Sequence, residues 1–99
     1  MTPSEEFVAD LARICLPVCD SASLMGVSRA TVYRWAAGRT RIPEAARRIL
    51  KAEVESCSVR RYQLTDGRVI YQGLRDGRPI GPPAGSREQA FRFALDLPR

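Results

Sequence analysis

Arg29 and Arg34 stand five residues apart in the stretch Ser28-Arg-Ala-Thr-Val-Tyr-Arg-Trp-Ala-Ala37. A guanidinium group forms paired hydrogen bonds with guanine O6 and N7, and also with phosphate oxygens. Two of them on one short segment therefore suit a nucleic-acid surface. Around them, residues 28–51 hold seven bases (Arg29, Arg34, Arg39, Arg41, Arg47, Arg48 and Lys51) and one acid, Glu44. Residues 1–27 run the other way, with Glu5, Glu6, Asp10 and Asp20 against Arg13. A +6 block predicts a positive face and a polyanionic partner. The same charges also fit a plain solvated surface, so the positions of the arginines have to decide.

Other chemistry is excluded by what the chain lacks. The 99 residues contain no histidine, which removes Ser-His and Cys-His catalysis and His-ligated zinc. Cys15, Cys19 and Cys57 cannot alone supply a four-thiolate metal site. The carboxylates form no pair or nucleophile–base constellation, so an enzyme is not expected, nor a cofactor. Gly77–Gly85 is no phosphate loop, because its prolines delete amide donors. At 44% hydrophobic residues the chain should fold, and no apolar run is long enough to span a membrane. The acidic start MTPSEEF and the odd number of cysteines point to a cytoplasmic protein with no leader and with buried thiols.

The elements that must position the arginines follow from periodicity and end signals. A first helix is expected from Ser4, as cap, to about Cys15, burying Phe7, Val8, Leu11, Ile14 and Cys15. Pro17 stops it. A second helix starts near Asp20 or Ser21, with either as cap, and runs to Met25. Ser28 caps a third that reaches Ala37, with Gly38 as its left-handed end. Pro43 opens a fourth that ends near Glu55 and buries Ala46, Ile49, Leu50 and Val54. The period then changes to two. Asp66-Gly67 and Asp76-Gly77 predict two tight hairpins joining strands of roughly 59–65, 68–74 and 78–81. Two-residue turns would place Tyr62 opposite Tyr71 and Ile80 opposite Gly73. Tyr62, Leu64, Val69, Tyr71 and Ile80 would then share one face. Gly81–Gly85 reads as a loop. Ser86 and Gln89 form a capping box for a last helix with Ala90, Phe91, Ala94 and Leu95 on its buried side. The expected fold is α+β: a four-helix unit over 1–56, then a three-stranded antiparallel meander with a C-terminal helix over 57–99.

Residues 18–37 fit a helix-turn-helix. Ala22 is small where two helices touch, Gly26 tolerates a left-handed turn, Val27 plugs the core, and Val32 and Trp35 are buried one turn apart. The stretch Ala22-Ser-Leu-Met-Gly26-Val-Ser28-Arg-Ala-Thr-Val32-Tyr-Arg-Trp35-Ala-Ala-Gly38, followed by Arg41-Ile-Pro43-Glu-Ala-Ala-Arg-Arg-Ile-Leu50, resembles the lambda-repressor/Cro-like helix-turn-helix family over residues 4–55. One position departs from the family pattern: Ser21 stands where an aliphatic residue is usual. The resemblance implies a dimeric DNA-binding regulator whose second motif helix reads an operator. It makes Ser28, Arg29, Ala30, Tyr33, Arg34 and Ala37 the DNA-facing set. Arg29 and Arg34 are the candidates for guanine, and Tyr33 for a phosphate or a thymine methyl. Ser28 is a helix cap first and a phosphate donor second. Arg39 and Arg41 suit phosphates, and Arg47, Arg48 and Lys51 either extend that clamp or remain a solvated face.

The C-terminal unit carries Arg60, Arg61, Arg68, Arg75 and Arg78. These could touch nucleic acid as a wing, or serve as edge charges that block strand-to-strand aggregation. Three functions stay open. One is a double-stranded-DNA-binding transcriptional regulator, a repressor or autorepressor acting as a homodimer. Another is an antitoxin or inhibitor that holds a protein partner through residues 57–99. The last is a small phage component for DNA packaging or recombination.

Overall fold

The computed structural model describes residues 1–95, which form five helices and one antiparallel sheet. They divide into two compact units, residues 1–54 and residues 55–95.

The first unit begins with α1, Pro3–Arg13. Its cap is Thr2, two residues ahead of the expected Ser4. The Thr2 hydroxyl accepts from the Glu5 amide at 3.2 Å, and the Glu5 carboxylate accepts from the Thr2 amide at 3.4 Å. That reciprocal pair, with Pro3 in the first turn, fixes the helix start better than a serine already inside it. α1 ends earlier than expected. Cys15 takes a left-handed φ of 51°, and the Leu16 amide reaches back to the Leu11 carbonyl at 2.9 Å. Val8, expected in the core, is exposed, while Asp10 is buried.

α2 is Val18–Met25 and starts earlier than either expected cap. Pro17 precedes it with no side-chain cap, so Asp20 and Ser21 lie inside the first turn. Ser21 is fully buried, and its hydroxyl donates to the Val18 carbonyl at 2.5 Å. A serine thus fits where an aliphatic residue was anticipated, because its one donor is satisfied one turn back. Gly26 ends α2 at φ 70°. α3, Arg29–Ala36, is capped by Ser28, whose hydroxyl accepts from the Thr31 amide at 3.2 Å. Gly38 follows at φ 74°. α4, Glu44–Ser56, buries Ala46 and Leu50. Ile49, expected inside, is exposed, and Val54 is half-buried. Phe7, Leu11, Ile14, Leu16, Val32, Trp35, Ile42 and Leu50 are the large members of this core.

The second unit contains β1 (Cys57–Gln63), β2 (Val69–Arg75), β3 (Arg78–Ala84) and α5 (Arg87–Leu95). The sheet order is β1-β2-β3. At the second hairpin Asp76 (φ 53°) and Gly77 (φ 80°) are both left-handed, and Ile80 faces Gly73 as expected. The first hairpin differs. Gly67 is left-handed but Asp66 is not, which rules out a two-residue mirror-image turn there. Instead the Gly67 amide bonds the Leu64 carbonyl, and the Leu64 amide bonds the Arg68 carbonyl, enclosing a three-residue loop. Asp66 holds this loop by accepting from the Arg68 amide at 3.0 Å and from its Nε at 2.6 Å.

The extra loop residue shifts β1 by one position. Tyr62 faces Ile70 and Arg61 faces Tyr71. The expected face of Tyr62 and Leu64 with Val69, Tyr71 and Ile80 therefore does not form. Cys57, Val59 and Arg61 replace them beside Tyr71 and Gly73, and Tyr62 turns to the other side. β3 also runs through Gly81-Pro82-Pro83, where the composition predicts a loop. An edge strand tolerates proline, and a bulge opposite Gln72 absorbs the irregularity. The Gln72 side-chain amide reaches the Ile80 and Gly81 carbonyls, each at 3.2 Å. α5 starts where expected, with Ser86 Oγ accepting from the Gln89 amide. It buries Ala90, Phe91, Ala94 and Leu95. Gly73 allows this close packing, since a Cβ there would strike the Ala90 carbonyl.

Candidate nucleic-acid interface

α3 is anchored by its buried side. Val32 is completely covered, and Trp35 meets Phe7 edge-on with ring centroids 6.0 Å apart. Successive residues of a helix are about 100° apart, so Val32 and Trp35 fix which side faces away. Ala30 and Ala37 lie at the centre of that outward side. Arg34 flanks them by about 50° on one edge and Tyr33 by about 50° on the other, with Arg29 about 90° out beyond Tyr33. Ser28, Arg29, Ala30, Tyr33, Arg34 and Ala37 are all exposed, Tyr33 at 53%. Small residues at the centre let the helix backbone approach a surface closely, and long polar side chains at the flanks can then reach past it.

The turn into α3 is set by Gly26, whose left-handed backbone lets the Val27 amide bond the Ala22 carbonyl at 3.1 Å. Val27 is half-buried and Ala22 buried. Beyond α3, the Arg39 amide bonds the Arg34 carbonyl at 2.9 Å. That bond leads the chain out toward Arg41. Arg39 and Arg41 are exposed and line a groove of about 480 Å³ together with Arg47 and the residues Thr2, Ser4 and Thr40. The groove is rich in hydrogen-bond donors that suit oxygen anions.

Arg47, Arg48 and Lys51 are placed differently from the other cations. Lys51 Nζ lies 2.7 Å from Glu6 and 2.9 Å from Asp10, whose side chain is only 7% exposed. Arg47 reaches Glu6 at 3.6 Å, and Arg48 pairs with Glu44 at 2.7 Å. The Lys51 hydrogen bond and charge hold the Glu6 carboxyl below its ordinary pKa. Glu6 and then Asp10 raise that of Lys51. Reading the sequence as separate charge blocks missed this strap, because Glu6 and Lys51 are far apart in the chain. A signal was present in the acidic positions Glu6 and Asp10, one turn apart on one helix face. Among the described residues, Arg29, Arg34, Arg39 and Arg41 make no ion pair. The structure thus exposes the α3 set along that helix, gathers Arg39, Arg41 and Arg47 along one groove, and ties Arg47, Arg48 and Lys51 to carboxylates.

In the second unit, Arg68 is paired with Asp66, and Arg75 Nη1 bonds the Ala94 carbonyl at 3.1 Å. Arg60, Arg61 and Arg78 are exposed. Among the described residues no cluster of metal-ligating side chains occurs, and no helix is long and apolar enough to cross a membrane. No family model, curated protein or solved structure matches the chain.

Proposed function

We propose that the protein is a sequence-specific double-stranded-DNA-binding regulator of the helix-turn-helix type, acting as a dimer on a two-fold symmetric site. The observation that carries this reading is the outward side of α3. It has an alanine centre, arginine and tyrosine flanks, no carboxylate, and in the loop that follows two further arginines that make no ion pair among the described residues. The major groove is about 12 Å wide and accepts a helix of this kind. Arg34, nearer the helix centre line than Arg29, reads a base edge. Arg29 and Tyr33 work on the other flank, Ser28 caps the helix where it enters, and Arg39 and Arg41 hold phosphates. Two copies would set their α3 helices about 34 Å apart, one turn of duplex.

Selection of bound fragments from random duplexes tests the reading. A defined, two-fold symmetric sequence is expected. Arg29→Ala and Arg34→Ala should each relax the preference at one or two positions of it, while Arg39→Ala and Arg41→Ala should weaken all duplexes alike. Recovery of random sequence, with the same loss on every duplex for all four variants, would replace the regulator by a packaging-type DNA-binding component.

A further inference from the structure

The groove beside α1 has walls fixed by the fold. One wall is the loop after α3, pinned at its start by the Gly38 amide on the Trp35 carbonyl at 3.1 Å and the Arg39 amide on the Arg34 carbonyl at 2.9 Å. Ile42, 5% exposed, anchors the other end of that loop in the core. The opposite wall is the start of α1, where Thr2 and Glu5 hold each other in their reciprocal cap. Gly38 sets the approach of the two walls, since a Cβ there would lie 3.3 Å from Ser4 Oγ. The space of about 480 Å³ between them is of the size that small-molecule sites occupy. Its polar lining is of one sign. The Arg39, Arg41 and Arg47 side chains and the Ser4 and Thr40 hydroxyls border it, and no carboxylate does. Glu5 is engaged by the Thr2 amide and hydroxyl, and Glu6 by Lys51 at 2.7 Å and Arg47 at 3.6 Å. Arg39 and Arg41 thus bring to the groove two positive charges that no ion pair among the described residues answers.

We infer that the groove binds a small organic phosphate monoester, whose dianion Arg39 and Arg41 neutralise. The charge count selects this class. A phosphate monoester carries about −1.5 to −2 at neutral pH and presents three terminal oxygens. A backbone phosphodiester carries a single charge. Guanidinium forks grip such oxygens in pairs, and the Ser4 and Thr40 hydroxyls add donors beside them. α1 takes part through hydroxyls, because Pro3 has no amide and those of Thr2 and Glu5 are used in the cap. Pro3 and Ile42 give the organic portion an apolar contact. Arg39 and Arg41 are also the phosphate holders of the proposed regulator. On that reading the ligand competes with duplex for the same guanidinium groups and releases the protein from its site.

Titration of the isotope-labelled full chain with adenosine monophosphate, followed by amide chemical shifts without DNA and at constant ionic strength, tests the site. Saturable shifts are expected in residues 2–5 and 38–42, and none in residues 28–34. Inorganic phosphate should shift the same amides with lower affinity. Dimethyl phosphate, a singly charged diester, should bind about tenfold more weakly than adenosine monophosphate, whose own affinity should fall as pH drops through about 6. Arg39→Gln and Arg41→Gln should each weaken binding about tenfold or more, and Arg48→Gln, which alters a cation outside the groove, should leave it unchanged. Shifts that never saturate with either phosphate overturn the inference. So do a diester that binds as well as the monoester, inorganic phosphate that binds as well as adenosine monophosphate, and arginine variants that bind like the unsubstituted protein. Adenosine monophosphate should also displace the selected duplex, and a duplex that stays bound beside it overturns the competition. Saturable binding by a chain with no duplex preference would sink the regulator reading alone. A chain that binds its selected duplex and ignores both phosphates would sink this inference alone.

Discussion

Removing the Arg34 side chain separates sequence reading from simple charge attraction. Arg34 is exposed, makes no ion pair among the described residues, and lies on the opposite side of α3 from Val32 and Trp35. Its loss should leave the melting temperature almost unchanged, because surface substitutions of this kind shift stability by about 0.5 kcal/mol or less. A paired arginine–guanine contact carries about 1–3 kcal/mol of discrimination, or roughly 5–150-fold in affinity. Arg29 is five residues away, about 7.5 Å along the helix axis. The two side chains should therefore act about two base pairs apart, and Arg34→Ala should relax preference at one or two adjacent positions only. Fluorescence anisotropy on the selected duplex and on point-substituted duplexes, at one fixed salt concentration, measures this. Equal losses on every duplex would show that Arg34 holds phosphate. An unchanged affinity would show that the α3 surface does not face DNA at all.

Three further outcomes concern stability. Cys15 holds a left-handed conformation that a β-carbon disfavours, so Cys15→Gly should stabilise the first unit by about 1 kcal/mol, read as a rise in melting temperature. Gly73→Ala would drive a β-carbon into the Ala90 carbonyl, and should destabilise the second unit by about 1–3 kcal/mol or more. Hydrogen exchange should show the loss in β2 and α5, with α1–α3 protected as before. The Glu6–Lys51 pair should make stability depend on pH at both ends. Glu6 is held below its ordinary pKa, so its contribution is present above the normal carboxylate range and is lost as pH falls through its native value. Lys51 is held above its ordinary pKa, so its contribution is lost as pH rises through its native value. Lys51→Gln should flatten the acid limb of a denaturation series, and an unchanged limb would disprove the coupling.

Local signals were legible in the sequence and long-range ones were not. The Ser28 cap, the Gly26 turn, the Asp76-Gly77 hairpin and the Ser86 cap each lie within a few residues, and each is found in the structure. The first hairpin shows the limit. Asp66-Gly67 has the same residue types as Asp76-Gly77, yet only Asp76 becomes left-handed, while Asp66 spends its carboxylate on Arg68. One loop residue moved Tyr62 to the other side of the sheet, and with it the apolar face that periodicity had assigned. The exposed set on α3 followed from helical spacing alone. The state of Arg47 and Lys51 did not, since it depends on these α4 side chains reaching Glu6 and Asp10 of α1.

Those ion pairs determine how much of the positive block is available. Seven bases lie between residues 28 and 51, but Arg47, Arg48 and Lys51 are answered by Glu6, Asp10 and Glu44. The acidic start of the chain is thus the local counter-charge of α4, and the cations of this block that make no ion pair among the described residues are Arg29, Arg34, Arg39 and Arg41. Salt dependence turns this into a number. The logarithm of affinity falls with the logarithm of salt at about 0.9 per phosphate neutralised. The four available cations of this block contribute up to about 3.6 per chain, and about 2.7 if Arg34 reads a base, against about 6 if all seven took part. A measured slope near 6 per chain would mean that the Glu6–Lys51 strap opens on DNA. Lys51→Gln would then lower the slope by about one, whereas with the strap closed it should leave it unchanged.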